Sequence, residues 1–344
     1  MHPPGSRRRL LIDPAMRALL CTEFGGPDRL EVGDVSTPGA PGTGEVLIEV
    51  GAAGLNFADL LMIGGQYQEK PPLPFIPGLE IAGVVRSCGA GVTRVKPGDR
   101  VAAALDRGGF AEQVIAREAD VFPIPAAMDL VTAAGFVIAY GTAHGALRWR
   151  ADLKAGEVLL VHGAAGGVGL TAVEMGKALG ATVIATAGER DKLAVAKAHG
   201  ADYLIDYRNE NIRDRVKEIC DGGGADVVFD PVGGAAFEAS LRCVNWGARL
   251  IVVGFAGGQV PQVPANILLV KNIAAIGFYW GSYRQRQPAL VAAQFRELFD
   301  WWQDGRLQPL VSHRFDLAQA PAALALLRER KSTGKVVLTL RDLT

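Results

Sequence analysis

Apolar residues in this chain gather in short runs, and the spacing of those runs changes character twice along its length. From Met16 to about Pro125 they are brief, rich in β-branched residues and broken by glycine and proline, as at 46–50, 81–85 and 101–105. That spacing predicts a compact, barrel-like β domain. From about Ala133 to Phe299, strand-like runs at 158–162, 182–186, 203–205, 227–229, 249–253 and 273–277 alternate with helical periodicity. Alternation of this kind predicts a parallel, doubly wound sheet. The tail reads as extended at 310–315, helical at 319–331 and extended again at 336–340, and is expected to fold back onto the first domain. The expected division is 16–138 with 306–344 in one domain and 139–305 in the other.

One junction carries chemistry. The buried-strand pattern Val158-Leu159-Leu160-Val161-His162 runs straight into Gly163-Ala164-Ala165-Gly166-Gly167-Val168-Gly169, and a helix is predicted over 170–179. Small residues let the backbone approach a pyrophosphate, while the helix offers amide groups and a positive dipole end to its charge. Ala164 takes the first position of the usual G-x-G-x-x-G pattern, and Gly166 and Gly169 keep the second and third. A second apolar run at 182–186 then falls at the spacing of a βαβ unit, so a dinucleotide site is predicted here.

Length and charge narrow the picture. At 344 residues the chain exceeds the usual single-core limit, which favours two domains. Its 36 basic and 36 acidic side chains cancel, so no global field points to nucleic acid or an anionic membrane. Cys21, Cys88, Cys220 and Cys243 are scattered without a C-x-x-C pair, which argues against a disulfide framework or a dithiol site and fits a reducing cytoplasm. No apolar run approaches the ~20 residues needed to span a bilayer as a helix. Residues 1–15, with Arg7-Arg8-Arg9 before a short apolar stretch, are read as a disordered extension ahead of a strand starting at Met16.

Several ordered motifs together resemble the zinc-free quinone oxidoreductase branch of the medium-chain dehydrogenase/reductase superfamily, which includes zeta-crystallin. They are Gly54-Leu55-Asn56-Phe57-Ala58-Asp59, Pro77-Gly78-Leu79-Glu80-Ile81-Ala82-Gly83, Lys96-Pro97-Gly98-Asp99-Arg100-Val101, Tyr140-Gly141-Thr142-Ala143, the glycine loop, and Ser332-Thr333-Gly334-Lys335-Val336. The resemblance implies a GroES-like catalytic domain joined to a Rossmann domain that binds NADPH, and a homodimer formed through the strand at 273–277. In zinc-dependent relatives a cysteine stands at Asn56 and a histidine at Leu79; an amide and an alkyl group cannot replace them as ligands. No cysteines follow the Gly98-Asp99-Arg100-Val101 run where a structural zinc would need them, so no metal is expected. Asp59 and Glu80 remain as isolated carboxylates and are read as structural hydrogen-bonding residues.

At the tip of the second sheet strand, Thr186-Ala187-Gly188 lacks the carboxylate that usually binds the ribose 2′-hydroxyl of NADH. By resemblance Lys192 binds a 2′-phosphate and Tyr207 lies against the adenine end. Arg190 is a second candidate cation, and the direction of Glu189 is open. Phe255 and Phe278 follow late sheet strands and are expected on the nicotinamide side. Lys335 matches a tail lysine of some relatives and reads equally well as a solvated surface residue. Ala164, Gly166, Gly167, Val168, Gly169, Thr186 and Gly188 complete the expected cofactor site.

With the hard chemistry carried by the cofactor, the protein must hold an electrophilic carbon and stabilise charge on a conjugated oxygen. Asn56, Tyr67 and Thr142 are the expected catalytic side chains by family position. His162 is read as structural, and His144, His199 and His313 as lacking ligand spacing or partners. The expected activity is reduction of a small quinone or α,β-unsaturated carbonyl by NADPH. The alternatives are an enoyl-thioester reductase and a low-turnover NADPH-binding sensor, structural or RNA-binding protein.

Overall fold

A computed structural model describes residues 15–343; most of the expected N-terminal extension lies outside the described residues. Its last member, Ala15, already belongs to the first strand, correcting the start expected at Met16. The strands are β1 (Ala15–Cys21), β2 (Leu30–Ser36), β3 (Glu45–Gly54), β4 (Glu80–Cys88), β5 (Arg100–Ala104), β6 (Gln113–Arg117), β7 (Val121–Pro123), β8 (Val158–Val161), β9 (Thr182–Ala187), β10 (Tyr203–Asp206), β11 (Ala225–Asp230), β12 (Val244–Val252), β13 (Ala274–Gly277), β14 (Val311–Asp316) and β15 (Lys335–Thr339).

β1 and β2 pair with each other in a small antiparallel sheet. A seven-stranded sheet runs β14-β15-β3-β4-β5-β7, with β6 also on β3, so the tail strands β14 and β15 return to the N-terminal half. Nearly every residue of β3 is buried, because a helix at Leu130–Ala134 covers the sheet. Gly54 makes that approach possible: a Cβ there would overlap the Ala134 carbonyl and sit 2.6 Å from the Glu80 carboxylate.

The other sheet is parallel throughout, in the order β10-β9-β8-β11-β12-β13. The chain reverses direction of travel between β8 and β11, and in such sheets ligands bind outside the carboxyl ends at that switch. The helix Gly167–Ala178 leaves β8 there, starting inside the glycine loop, three residues earlier than its apolar pattern predicts. β12 also starts earlier than expected, at Val244, since the exposed Trp246 and Gly247 interrupt its apolar pattern. The tail helix stops at Arg328; Arg330 adopts φ 58°, which ends helical geometry before the predicted Lys331.

Aromatic packing joins the two halves. Phe122 lies 4.0 Å from Phe295 and Phe136 stacks 5.4 Å from Phe299, ring centre to ring centre. Buried Arg284 reaches from the parallel-sheet half to Asp120 at 2.8 Å, and donates to the Leu105 carbonyl at 3.1 Å. Among the described residues no helix is long and apolar enough to cross a membrane.

Candidate active site

The glycine loop is shaped by its backbone. Gly163 turns the chain with φ 58°, so the left-handed residue precedes Ala164, and alanine is tolerated at that position. Ala164 N–H donates to the Thr186 carbonyl at 3.1 Å, and Gly166 N–H to the Gly163 carbonyl at 2.9 Å. Gly169 packs so closely that a Cβ would overlap the Gly163 carbonyl oxygen. Gly166 is the N-cap of the following helix and supplies no side-chain cap, which leaves its first turn accessible to an anion. This geometry fits a pyrophosphate.

Buried His162 fastens the loop from below. Its Nδ1 is 3.0 Å from Thr186 Oγ1 and its Nε2 is 2.7 Å from Ser240 Oγ. Burial lowers its pKa despite the charge of Asp230, so the ring is neutral and structural. The loop also meets the tail: Gly334 N–H donates to the Ala165 carbonyl at 2.8 Å, and Lys335 Cδ lies 3.2 Å from where a Gly167 Cβ would stand.

The Lys335 ammonium then turns into the β-rich half, which corrects its reading as a solvated residue. It donates to the Leu55 carbonyl (2.7 Å), Asn56 Oδ1 (2.8 Å) and Glu80 Oε1 (2.6 Å). Three donors meet three acceptors, so the ammonium is saturated by protein. Asn56 Nδ2 donates to the same Glu80 oxygen at 2.9 Å, and Glu80 Oε2 accepts from the Ile138 N–H at 2.9 Å. Glu80 is therefore the hub of a network: the carboxylates are hydrogen-bonding residues as read from the sequence, but they are not isolated. Asp59 joins it as the other arm of a capping box with Asn56, accepting from the Asn56 N–H at 2.8 Å. Its Oδ1 is buried without a hydrogen-bond partner, and burial pushes its pKa up to about 7. Among the described residues no cluster of His, Cys, Asp or Glu could hold a metal ion.

Tyr67 is partly buried, with its hydroxyl 3.3 Å from that of Tyr279 across the two halves. Burial, reinforced by Tyr279, raises the Tyr67 pKa, so the phenol keeps its proton and serves as a donor. Thr142 is buried on the helix Val137–His144. Phe255 is half-exposed in the loop after β12. Phe278 is buried against Gly145 and, at 5.4 Å between ring centres, against Tyr283, so its ring presents little surface to a ligand.

At the far end, Thr186 and Gly188 are buried, whereas Tyr207 is exposed. A Cβ on Gly188 would come within 2.8 Å of the Tyr207 ring. Lys192 Nζ donates to the Arg330 carbonyl at 2.6 Å and lies 3.2 Å from Glu189. Glu189 thus points at the candidate cation. Arg190 is exposed, and its place beside Glu189 is taken by Arg208, 3.2 Å away. Arg208 and Tyr279 were missed although each adjoins a residue singled out from its motif, Tyr207 and Phe278. The other histidines do have partners: His144 with Glu297 (2.9 Å) and Gln294 (3.1 Å), His199 with Glu174 (2.5 Å) and His313 with Ser312 (2.8 Å).

Comparison with known proteins fits this layout. Residues 42–126 match the alcohol dehydrogenase GroES-like domain family, and residues 167–298 match the family described as zinc-binding dehydrogenase. The chain is 42% identical over 329 residues to the quinone oxidoreductase-like protein 2 homolog of Nematostella vectensis, covering 95% of this chain and 89% of the relative. The quinone oxidoreductase of Pseudomonas syringae superposes with a TM-score of 0.88 at 36% identity, covering 94% of this chain and 99% of the other. The Escherichia coli quinone oxidoreductase complexed with NADPH superposes with a TM-score of 0.86 at 32% identity, covering 94% and 99%. The chain is an oxidoreductase and belongs to the quinone oxidoreductase family of the medium-chain dehydrogenase/reductase superfamily.

Proposed function

We propose that this protein reduces quinones or α,β-unsaturated carbonyls with NADPH and without a metal. The observation that carries the reading is the junction of loop and cluster: Gly334 and Lys335 hold the pyrophosphate loop directly against the Asn56–Glu80 network. Residues 163–169 would hold the pyrophosphate, Tyr207 the adenine end, and Lys192 the 2′-phosphate. A bound reduced nicotinamide supplies the hydride or electrons. Tyr67 donates its hydroxyl proton in a hydrogen bond to the acceptor oxygen as negative charge gathers there. Asn56, held at both ends of its amide, and Thr142 shape the polar wall beside it.

Independence from zinc is supported by the donor set. Of the residues that match zinc ligands, Asn56 and Leu79 offer an amide and an alkyl group, and the neighbouring Glu80 is bonded to an ammonium that would repel a divalent ion. The division into 16–138 with 306–344 and 139–305 is proposed on the membership of the two larger sheets, β14 and β15 siding with the first. A homodimer through β13 is supported by its place at the sheet edge and by Leu269 and Val270, each 77% exposed beside it. Four free thiols favour the cytoplasm.

The test is steady-state NADPH oxidation against 1,4-benzoquinone, 9,10-phenanthrenequinone, a 2-alkenal and crotonyl thioester, with metal content measured on the same sample. Turnover of the quinones or alkenal by metal-free protein is expected. Preference for the thioester would move the assignment to an enoyl reductase, and tight NADPH binding without oxidation of any acceptor would make the protein a sensor.

A further inference from the structure

We infer that Glu189 sets coenzyme choice, because its carboxylate occupies the place between Lys192 and Arg208 that a 2′-phosphate must take. The inference rests on the NADPH reading above and adds a residue that works against it.

Glu189 is the N-cap of the helix Arg190–Ala198, with an extended backbone and no side-chain bond to the helix amides. Its carboxylate is free for other partners. One oxygen lies 3.2 Å from Lys192 Nζ and the other 3.2 Å from Arg208 Nη2, so a single anion bridges two cations. The cations are held from elsewhere. Lys192 is anchored on the Arg330 carbonyl, and Arg330 in turn donates to the Ala256 carbonyl at 2.7 Å; for Arg208 it is the backbone that is fixed, its amide N–H donating to Asp206 Oδ1 at 3.1 Å. Gly188 keeps the gap open to both sides, since a Cβ there would approach the Tyr207 hydroxyl within 2.8 Å and Arg208 Nε within 3.0 Å. The result is a small basic notch at the carboxyl end of β9, filled by a carboxylate.

The chemistry of the two coenzymes differs at this notch. A phosphate monoester carries about two negative charges, against one for Glu189. The Glu189 side chain is 46% exposed, and exposed ion pairs are weak, so a dianion displaces the carboxylate. Displacement is nevertheless a cost that only the phosphorylated coenzyme meets. An unphosphorylated ribose leaves the bridge intact and can donate its 2′-hydroxyl to the carboxylate, the role an acidic residue plays in NADH sites. Glu189 therefore compresses the preference for NADPH over NADH that Lys192 and Arg208 would otherwise impose.

Equilibrium titration of the full chain with NADPH and NADH, followed by nucleotide fluorescence, tests this with Glu189→Gln and Lys192→Ala. Glu189→Gln keeps the shape and removes the charge. It should tighten NADPH by about three- to tenfold, the range expected for releasing exposed ion pairs, and leave NADH unchanged or weaker. An equal shift for both coenzymes, or weaker NADPH binding, overturns the inference. Lys192→Ala examines the underlying reading separately: it should weaken NADPH and spare NADH. If it discriminates while Glu189→Gln does not, only the role of Glu189 is lost; if it weakens both equally, the phosphate notch and the inference fall together.

Discussion

The glycine loop and the Lys335 cluster touch each other at Gly334, yet they are built in opposite ways. The loop is a backbone device: seven consecutive residues, a left-handed turn at Gly163, and close contacts that only small side chains permit. The cluster is a side-chain device, drawn from Leu55 and Asn56, Glu80, Ile138 and Lys335 on separate elements, and nearly closed to solvent. The difference teaches what each region tolerates. A backbone site is damaged by adding atoms, whereas a buried polar network is damaged by removing one charge.

The largest effect should follow from removing that charge. Lys335→Met strands buried Glu80 without its cation and should cost about 3–5 kcal/mol in urea unfolding at neutral pH. Lys335→Met with Glu80→Gln should recover at least half of that. If the double variant is as unstable as the single one, the cluster is held by packing and the contrast with the loop fails.

Asp59 gives the cluster a pH signature. Folded Asp59 keeps its proton to about pH 7, whereas the unfolded carboxyl releases it near 3.8. The folded state therefore binds more protons between those values. Its contribution is full below about 3.8 and is lost as the pH rises to about 7. Comparing Asp59→Asn with the parent at pH 5 and pH 8 should show the parent's relative stability falling by about 2.7 kcal/mol, for the roughly two units between pH 5 and 7 at 1.36 kcal/mol per unit. A pH-independent difference would mean that the carboxylate is ionised in the fold.

Gly169→Ala tests the loop. Overlap with the Gly163 carbonyl should cost about 1–3 kcal/mol of stability and weaken NADPH binding by at least about tenfold, read by thermal unfolding and fluorescence titration. Normal binding would show that the loop can open without penalty. The smallest effect is expected at Tyr67, proposed above as the donor to the acceptor oxygen. Tyr67→Phe should lower turnover by about tenfold at unchanged NADPH affinity. Loss arising wholly from cofactor binding would remove Tyr67 from the reaction.

Much of the parallel sheet was legible because its signals are local. Apolar runs at 158–162 and 182–186 became β8 and β9 with little change, since buried parallel strands need β-branched residues on both faces. Boundaries slipped where turn chemistry overrode the apolar pattern, at Gly167 and at Arg330. In the site, the glycine positions were readable because each satisfies a local steric demand. Lys335 was not, since a lysine carries no mark of whether its ammonium meets water or Glu80, 255 residues away in the chain. The partners of His144 and His199 were hidden for the same reason.

What the sequence determined by itself was therefore the order of the strands in the parallel-sheet half, the glycine loop and the kind of ligand such a loop accepts, because periodicity and small residues act over a few neighbouring positions. Only the tertiary structure decided that Glu80 joins Asn56 to Lys335, that Tyr67 meets Tyr279 and that Glu189 faces Lys192 and Arg208. Burial and charge pairing depend on which distant segments the fold brings together, and no local pattern encodes that.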